Sequence, residues 1–246
     1  MSSLLDSIAD KKNRLDRLHP LPPEALSKLE HYCDVEITYT SNAIEGNTLS
    51  PVETTLVIEK GVTIGGKPLG DHLEALDHYD AIRYVRELGR ETTPLTESGV
   101  CNLHRLVMQR SRPDIAGRYA DMARRTRTES GSYEFPTPAE IPALMSDFGQ
   151  WLGRAPDTPE TAFTAHRRLV DIHPFNDGNG RTARLLMNLI LIRAGYPPVA
   201  VRPEDRLDYI RGLQQWQAGQ GKGSLDSLLS ERLDAALEEY LGVLQQ

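Results

Sequence analysis

Residues 173–184, HPFNDGNGRTAR, bring an imidazole, a carboxylate, a glycine-flanked turn and two guanidinium groups into one short stretch. Gly178, Asn179 and Gly180 suit backbone conformations of positive φ, which aim successive N–H groups at one point. From Gly180 onward Leu185, Leu186, Leu189, Ile190 and Ile192 recur at helical spacing, until Gly195, Pro197 and Pro198 end the run. The turn therefore feeds a helix N-terminus, where free amides and the helix dipole favour an anion, phosphate above all. Arg181 and Arg184 stand three apart in that first turn, where each cation opposes the dipole by roughly 0.3–1 kcal/mol. A polyphosphate would relieve the misfit, with guanidinium forks gripping its oxygens. Asp177 is placed to hold Mg2+ through one carboxylate while phosphates and water complete the shell. His173, with an ordinary pKa of about 6.5, suits general-base removal of a proton from an attacking hydroxyl. Taken singly, a His before Pro and an Asn-Asp-Gly run are more often structural; together they favour a site. A P-loop is excluded, because its Gly-x-x-x-x-Gly-Lys pattern is absent.

In order and spacing the stretch resembles the signature of the Fic (Fido-domain) family, His-Pro-Phe-x-Asp-Gly-Asn-Gly-Arg-x-x-Arg, at every defined position. The resemblance implies a mainly α fold, a single Fic-type helical domain with a small β-hairpin flap near the active site. It also implies a protein adenylyltransferase, which moves AMP from ATP to a Ser, Thr or Tyr hydroxyl of a target protein or of the chain itself. Carried over by position, His173 is the base and Asp177 the Mg2+ ligand. Gly178, Asn179 and Gly180 line the anion hole, and Arg181 and Arg184 take the β- and γ-phosphates. The residues alone point to phosphate and a base; attack at the α-phosphate comes from the resemblance.

A second stretch carries the opposite misfit. Leu26, Leu29, Cys33, Ile37 and Ile44 keep helical spacing up to Gly46, an apt glycine for a helix end. Glu45 thus places a negative charge where a helix prefers a cation. An acid there is usually a solvated surface residue. Ser41, Glu45 and Gly46 nevertheless resemble the family's inhibitory motif, [Ser/Thr]-x-x-x-Glu-[Gly/Asn]. That resemblance implies an inhibitory helix over about 24–45, with Glu45 pairing Arg184 and blocking the γ-phosphate at rest. Two alternatives stand beside adenylyl transfer: removal of AMP from a modified protein, with Glu45 activating water, and a non-catalytic nucleotide-binding switch.

Composition sets the outer bounds. A chain of 246 residues, 39% apolar and 26% charged, has material for one sizeable core. A net charge of −7 argues against nucleic acid as a partner, and Arg124, Arg125 and Arg127 read as a solvated arm ahead of the alternative, a contact for an acidic target. Cys33 and Cys101 make no disulfide framework, which suits a cytoplasmic protein. The apolar run 185–192 is too short for a membrane span. A homo-oligomer is compatible with the sequence. One domain, 1–246, is expected to comprise an N-terminal helical region 1–90, a core 91–200 and C-terminal helices 201–246.

The elements that must position the motif follow from periodicity and caps. A short amphipathic helix occupies 1–22 and ends at Pro20, Pro22 and Pro23. Ser50 to Glu53 reads as a capping box with Pro51 at the first helical position. The glycine pair in 63–67 predicts a small hairpin, and a helix follows over about 71–88. His72 and His78 on it do not share a face, and no His or Cys spacing suggests a zinc site. Thr96 caps a helix carrying His104, which reads as packed core rather than as a ligand. Between Pro113 and Pro136 the helical period fails, and Ser130-Gly131-Ser132 predicts the turn of a surface hairpin, the flap by position. Thr137 to Glu140 reads as a second capping box, Thr158-Pro159 opens a helix running into His173, and helices at about 203–218 and 224–244 finish the chain.

Overall fold

The computed structural model describes residues 2–18, 20–21, 23–128 and 131–244. Pro22 and Ser130, used above as stop and turn signals, lie outside them. The elements are α1 (Ser2–Arg17), α2 (Pro23–Ile44), α3 (Pro51–Lys60), α4 (Leu69–Gly89), α5 (Glu97–Met108), β1 (Arg125–Thr128), β2 (Gly131–Glu134), α6 (Ile141–Leu152), α7 (Pro159–Ile172), α8 (Asn179–Arg193), α9 (Arg206–Gln217) and α10 (Gly223–Leu244). The expected fold is borne out: a mainly helical protein with one small antiparallel hairpin.

Helix α8 is the centre. Every residue from Arg181 to Leu191 is buried, and α4, α5 and α7 pack around it. A Cβ on Gly89 would lie 2.5 Å from an Ile192 methyl, so α4 approaches α8 closely only through a glycine. Asn188 is a fully buried polar residue in the second half of this helix. Its side chain donates to Val199 O and accepts from Val199 N–H, at 3.0 and 2.8 Å, binding the extended segment after α8 to the core. Helix α2 lies along α4, held by the buried Asp34–Arg86 pair at 2.6 Å and by Thr38 against the buried His78. Helices α1 and α10 pack together at the ends of the chain, with Lys11 and Ser7 both bonded to Asp234.

Local chemistry accounts for most boundaries. Ser50 and Glu53 make both bonds of the capping box, and Gly61 ends α3 at φ 62°. Thr96 and Thr158 cap α5 and α7 through their hydroxyls. Two expectations need correction. Residues 63–67 form no hairpin, because Ile64 N–H is taken by His72 Nε2 and Lys67 Nζ reaches Thr48 O, leaving no strand to pair. Helix α6 begins at Ile141 rather than beside Thr137, since Glu140 Oε2 accepts from both the N–H and the hydroxyl of Thr137. No side chain caps the first amides of α6.

Candidate active site

Helix α7 ends at Ile172, and His173 follows in the left-handed region at φ 48°, the sole non-glycine with positive φ among the described residues. Such a conformation costs about 1 kcal/mol or more and persists only where surroundings hold it. They do so here. The His173 N–H donates to Leu169 O at 2.9 Å, and its ring stacks on Phe135 at 3.8 Å between centroids. Nδ1 lies 3.2 Å from Val170 O, and a carbonyl can only accept, so Nδ1 carries the proton and Nε2 keeps the lone pair. Burial pushes the imidazole pKa down to about 4 against the raising effect of that bond. The imidazole is therefore neutral and basic at Nε2 near pH 7.

The loop after it is closed by Asn179, whose side chain accepts from Phe175 N–H and donates to Phe175 O. Ala120 N–H donates to Pro174 O, and Asn176 donates to Asp121, so the loop is also tied to the segment leading into β1. Gly178 takes φ 73° at the N-cap of α8, and no side chain caps that end. The first amides of the helix thus remain available to an anion. Gly180 serves closeness rather than φ: a Cβ there would run into Glu45 Oε1.

Both arginines are buried, at 2% and 3% exposure, and each meets acids. Arg184 donates from Nη2 to Glu45 Oε1 at 2.7 Å and to Ser41 O at 2.9 Å, and from Nε to Ser41 Oγ at 2.9 Å. Its Nη1 lies 3.4 Å from the Tyr209 hydroxyl, which in turn sits 2.7 Å from His166 Nε2. The expected Glu45–Arg184 pair is thus present, 139 residues apart in sequence. Burial alone would raise the Glu45 pKa, but the charge and hydrogen bond of Arg184, with Arg181 and Arg206 behind them, hold it below the ordinary value. Arg206 also donates to Ile44 O at 2.8 Å, fixing the end of α2.

Arg181 is less satisfied. Its Nη1 is 3.1 Å from Glu74 Oε1, too poorly aligned for a hydrogen bond, and Nη2 is 3.7 Å from Asp177 Oδ1. Nε and Nη1 stay without a hydrogen-bond partner, a costly state for a buried cation unless a ligand supplies the acceptors. Asp177 Oδ1 meanwhile accepts from Gly178 N–H at 2.6 Å. Carboxylates of this chain therefore occupy donors that a polyphosphate would use. Among the described residues no three His, Cys, Asp or Glu side chains gather as a metal cluster. A divalent ion here would have Asp177 as its carboxylate and need phosphate oxygens and water for the rest, which suits Mg2+ arriving with a nucleotide.

All the residues expected from the motif converge on this place, and Ser41 and Glu45 join them. Sequence reasoning missed Phe135, Glu74, Tyr209 and the part of His104 that faces the loop. None of these carries a local signal, because each reaches the site from another element. Among the described residues no helix is long and apolar enough to cross a membrane.

The profile of the Fic/DOC family matches residues 94–191. A protein adenylyltransferase Fic from Nematostella vectensis is 37% identical over 223 residues, covering 88% of this chain and 51% of that protein. The protein adenylyltransferase fic-1 of Caenorhabditis elegans is 31% identical over 248 residues, covering 98% of this chain and 47% of its own. The chain thus spans about half the length of the curated relatives it matches. A crystal structure of a Fic domain containing signaling protein from Bacteroides thetaiotaomicron superposes with a TM-score of 0.90 at 30% identity, covering 97% of both chains. With that likeness over nearly its whole length and the signature intact from His173 to Arg184, the chain belongs to the Fic/DOC family.

Proposed function

We propose that this protein transfers AMP from Mg·ATP to a Ser, Thr or Tyr hydroxyl of a protein, and that Glu45 restrains it at rest. The observation that carries the reading is a neutral imidazole with a free Nε2 lone pair beside an uncapped helix N-terminus that bears two buried arginines. The relatives named protein adenylyltransferase support it. In the step itself the target hydroxyl oxygen attacks the α-phosphorus, its proton passes to His173 Nε2, and the bond to pyrophosphate breaks. Gly178, Asn179 and Gly180 supply backbone room and amides around the phosphates, while Arg181 and Arg184 balance the charge that develops on the leaving group. Asp177 would hold Mg2+, which when bound offsets phosphate charge.

At rest Glu45 occupies the Arg184 fork and the space above Gly180. A γ-phosphate needs the same fork, so the carboxylate and the productive nucleotide exclude each other. A general base contributes about 10²–10⁴ in rate. His173→Ala, made in a Glu45→Gly protein, is expected to lose transfer of α-labelled phosphate by that factor while retaining ATP binding. Transfer undiminished by the change would reject the role of His173.

A further inference from the structure

His104, in the middle of α5, is fully buried and lies 73 residues before the loop it touches. Its two ring nitrogens have different partners. Gly117 N–H donates to Nδ1 at 3.0 Å, so Nδ1 holds the lone pair and Nε2 holds the proton. Nε2 is 3.0 Å from Asp177 O, which can only accept. The tautomer is therefore set from both sides, since the other one would set Nδ1–H against Gly117 N–H, and a flip of the ring would lose both bonds. The ring also stacks face to face on Phe175, with centroids 3.7 Å apart and planes parallel. Beside it, a Cβ on Gly178 would lie 2.7 Å from Met108 Sδ and 3.3 Å from His104 Nε2, so the same face of α5 shapes the turn.

The consequence lies in one peptide plane. In a trans peptide the carbonyl and the following N–H point in opposite directions. With Asp177 C=O drawn toward α5 by His104, Gly178 N–H must face the other way, toward the side where Asp177 Oδ1 now accepts it and Arg181 Nη2 lies 3.7 Å off. The Arg184 guanidinium, by contrast, is held by Ser41 and Tyr209 and makes no contact with the His104 ring. We infer that His104 is a positioning residue for adenylyl transfer: its Nε2–H bond to Asp177 O sets the orientation of the Asp177–Gly178 peptide, and so aims the first amide of the anion hole. The inference rests on the transfer activity proposed above.

Two substitutions separate the bonds. His104→Gln places an amide donor near the position of Nε2 and keeps the bond to Asp177 O. His104→Asn places an acceptor near Nδ1, keeps Gly117 N–H satisfied and loses the bond to the loop. Both are made in the full chain carrying Glu45→Gly, and kcat and KM for Mg·ATP are measured with α-labelled ATP. His104→Asn is expected to lower kcat about tenfold with KM within about twofold, because the arginine grip persists, and His104→Gln to restore most of the loss. Hydrogen exchange of the peptide covering 174–180 is followed in the same proteins without nucleotide. Faster exchange with Asn than with Gln supports the inference, and equal exchange overturns it whether or not the parent transfers AMP. Equal kcat in the two variants also overturns it. A parent protein that transfers no AMP at all rejects the functional reading instead.

Discussion

Replacing Glu45 by Gly tests the resting state most directly. The bond from Arg184 Nη2 to Glu45 Oε1 is 2.7 Å long, with the guanidinium side chain 4% exposed and the carboxylate 39% exposed. A charge-assisted bond of this kind contributes about 1.5–3 kcal/mol. Because the carboxylate is partly solvated, screening places it near the lower end, about 2 kcal/mol. A nucleotide that must break this pair before seating its γ-phosphate binds productively about 30-fold less well. Arg184 loses little order in the variant, since the Ser41 hydroxyl, the Ser41 carbonyl and Tyr209 still hold it. The end of α2 also survives, because Gly46 N–H, Asn47 N–H and Arg206 bond to backbone carbonyls. The initial rate of self-labelling with α-labelled ATP and Mg2+, at subsaturating nucleotide, is expected to rise about 30-fold. A rate within twofold of the unaltered protein would refute the idea that this pair is the restraint.

Four further outcomes follow from the geometry. The His173 pKa is pushed down to about 4, so the proton-accepting form predominates above that value, and transfer should be flat from about pH 5 upward and fall below about pH 4. Phe135→Ala removes part of the cover that depresses this pKa, so the acid limb of the pH–rate profile should move upward toward about 6.5. Gly178→Ala forces a side chain into φ 73° with its Cβ 2.7 Å from Met108 Sδ, and should lower stability by about 1–3 kcal/mol, read from the urea unfolding midpoint. Stability itself should fall as pH drops from about 6.5 toward 4. Burial holds His104 and His173 near 4, His166 near 3 and His78 well below its ordinary value, so in that window the unfolded chain binds more protons than the native one. Each such histidine contributes up to about 1.4 kcal/mol per pH unit. Asp34, raised to about 6 by burial despite Arg86, opposes them by taking up its proton in the native state first. Urea midpoints compared at pH 7 and pH 5 check the sign.

What could be read along the chain was the chemistry that is local. The caps of α3, α5 and α7 depend on residues three apart, and the amphipathic stripes on spacings within one helix, so both are legible without a fold. The site motif is contiguous, and its two buried arginines betray themselves as charges at the wrong end of a helix. Glu45 shows the same misfit alone, although only its likeness to a known motif named Arg184 as the partner. The segment 63–67 misled because a glycine pair specifies a bend and not a pairing strand, and His72 from the next helix claimed the amide that a strand would have used.

Folding decided the rest. The left-handed backbone and depressed pKa of His173 depend on a ring delivered by the end of the flap, the fork of Arg184 is completed by a tyrosine of α9, and the loop leans on an imidazole of α5. These contacts join residues 25 to 73 positions apart. No periodicity or spacing encodes them, because burial, tautomer and hydrogen-bond partner are properties of a neighbourhood that exists only once the helices have packed around α8.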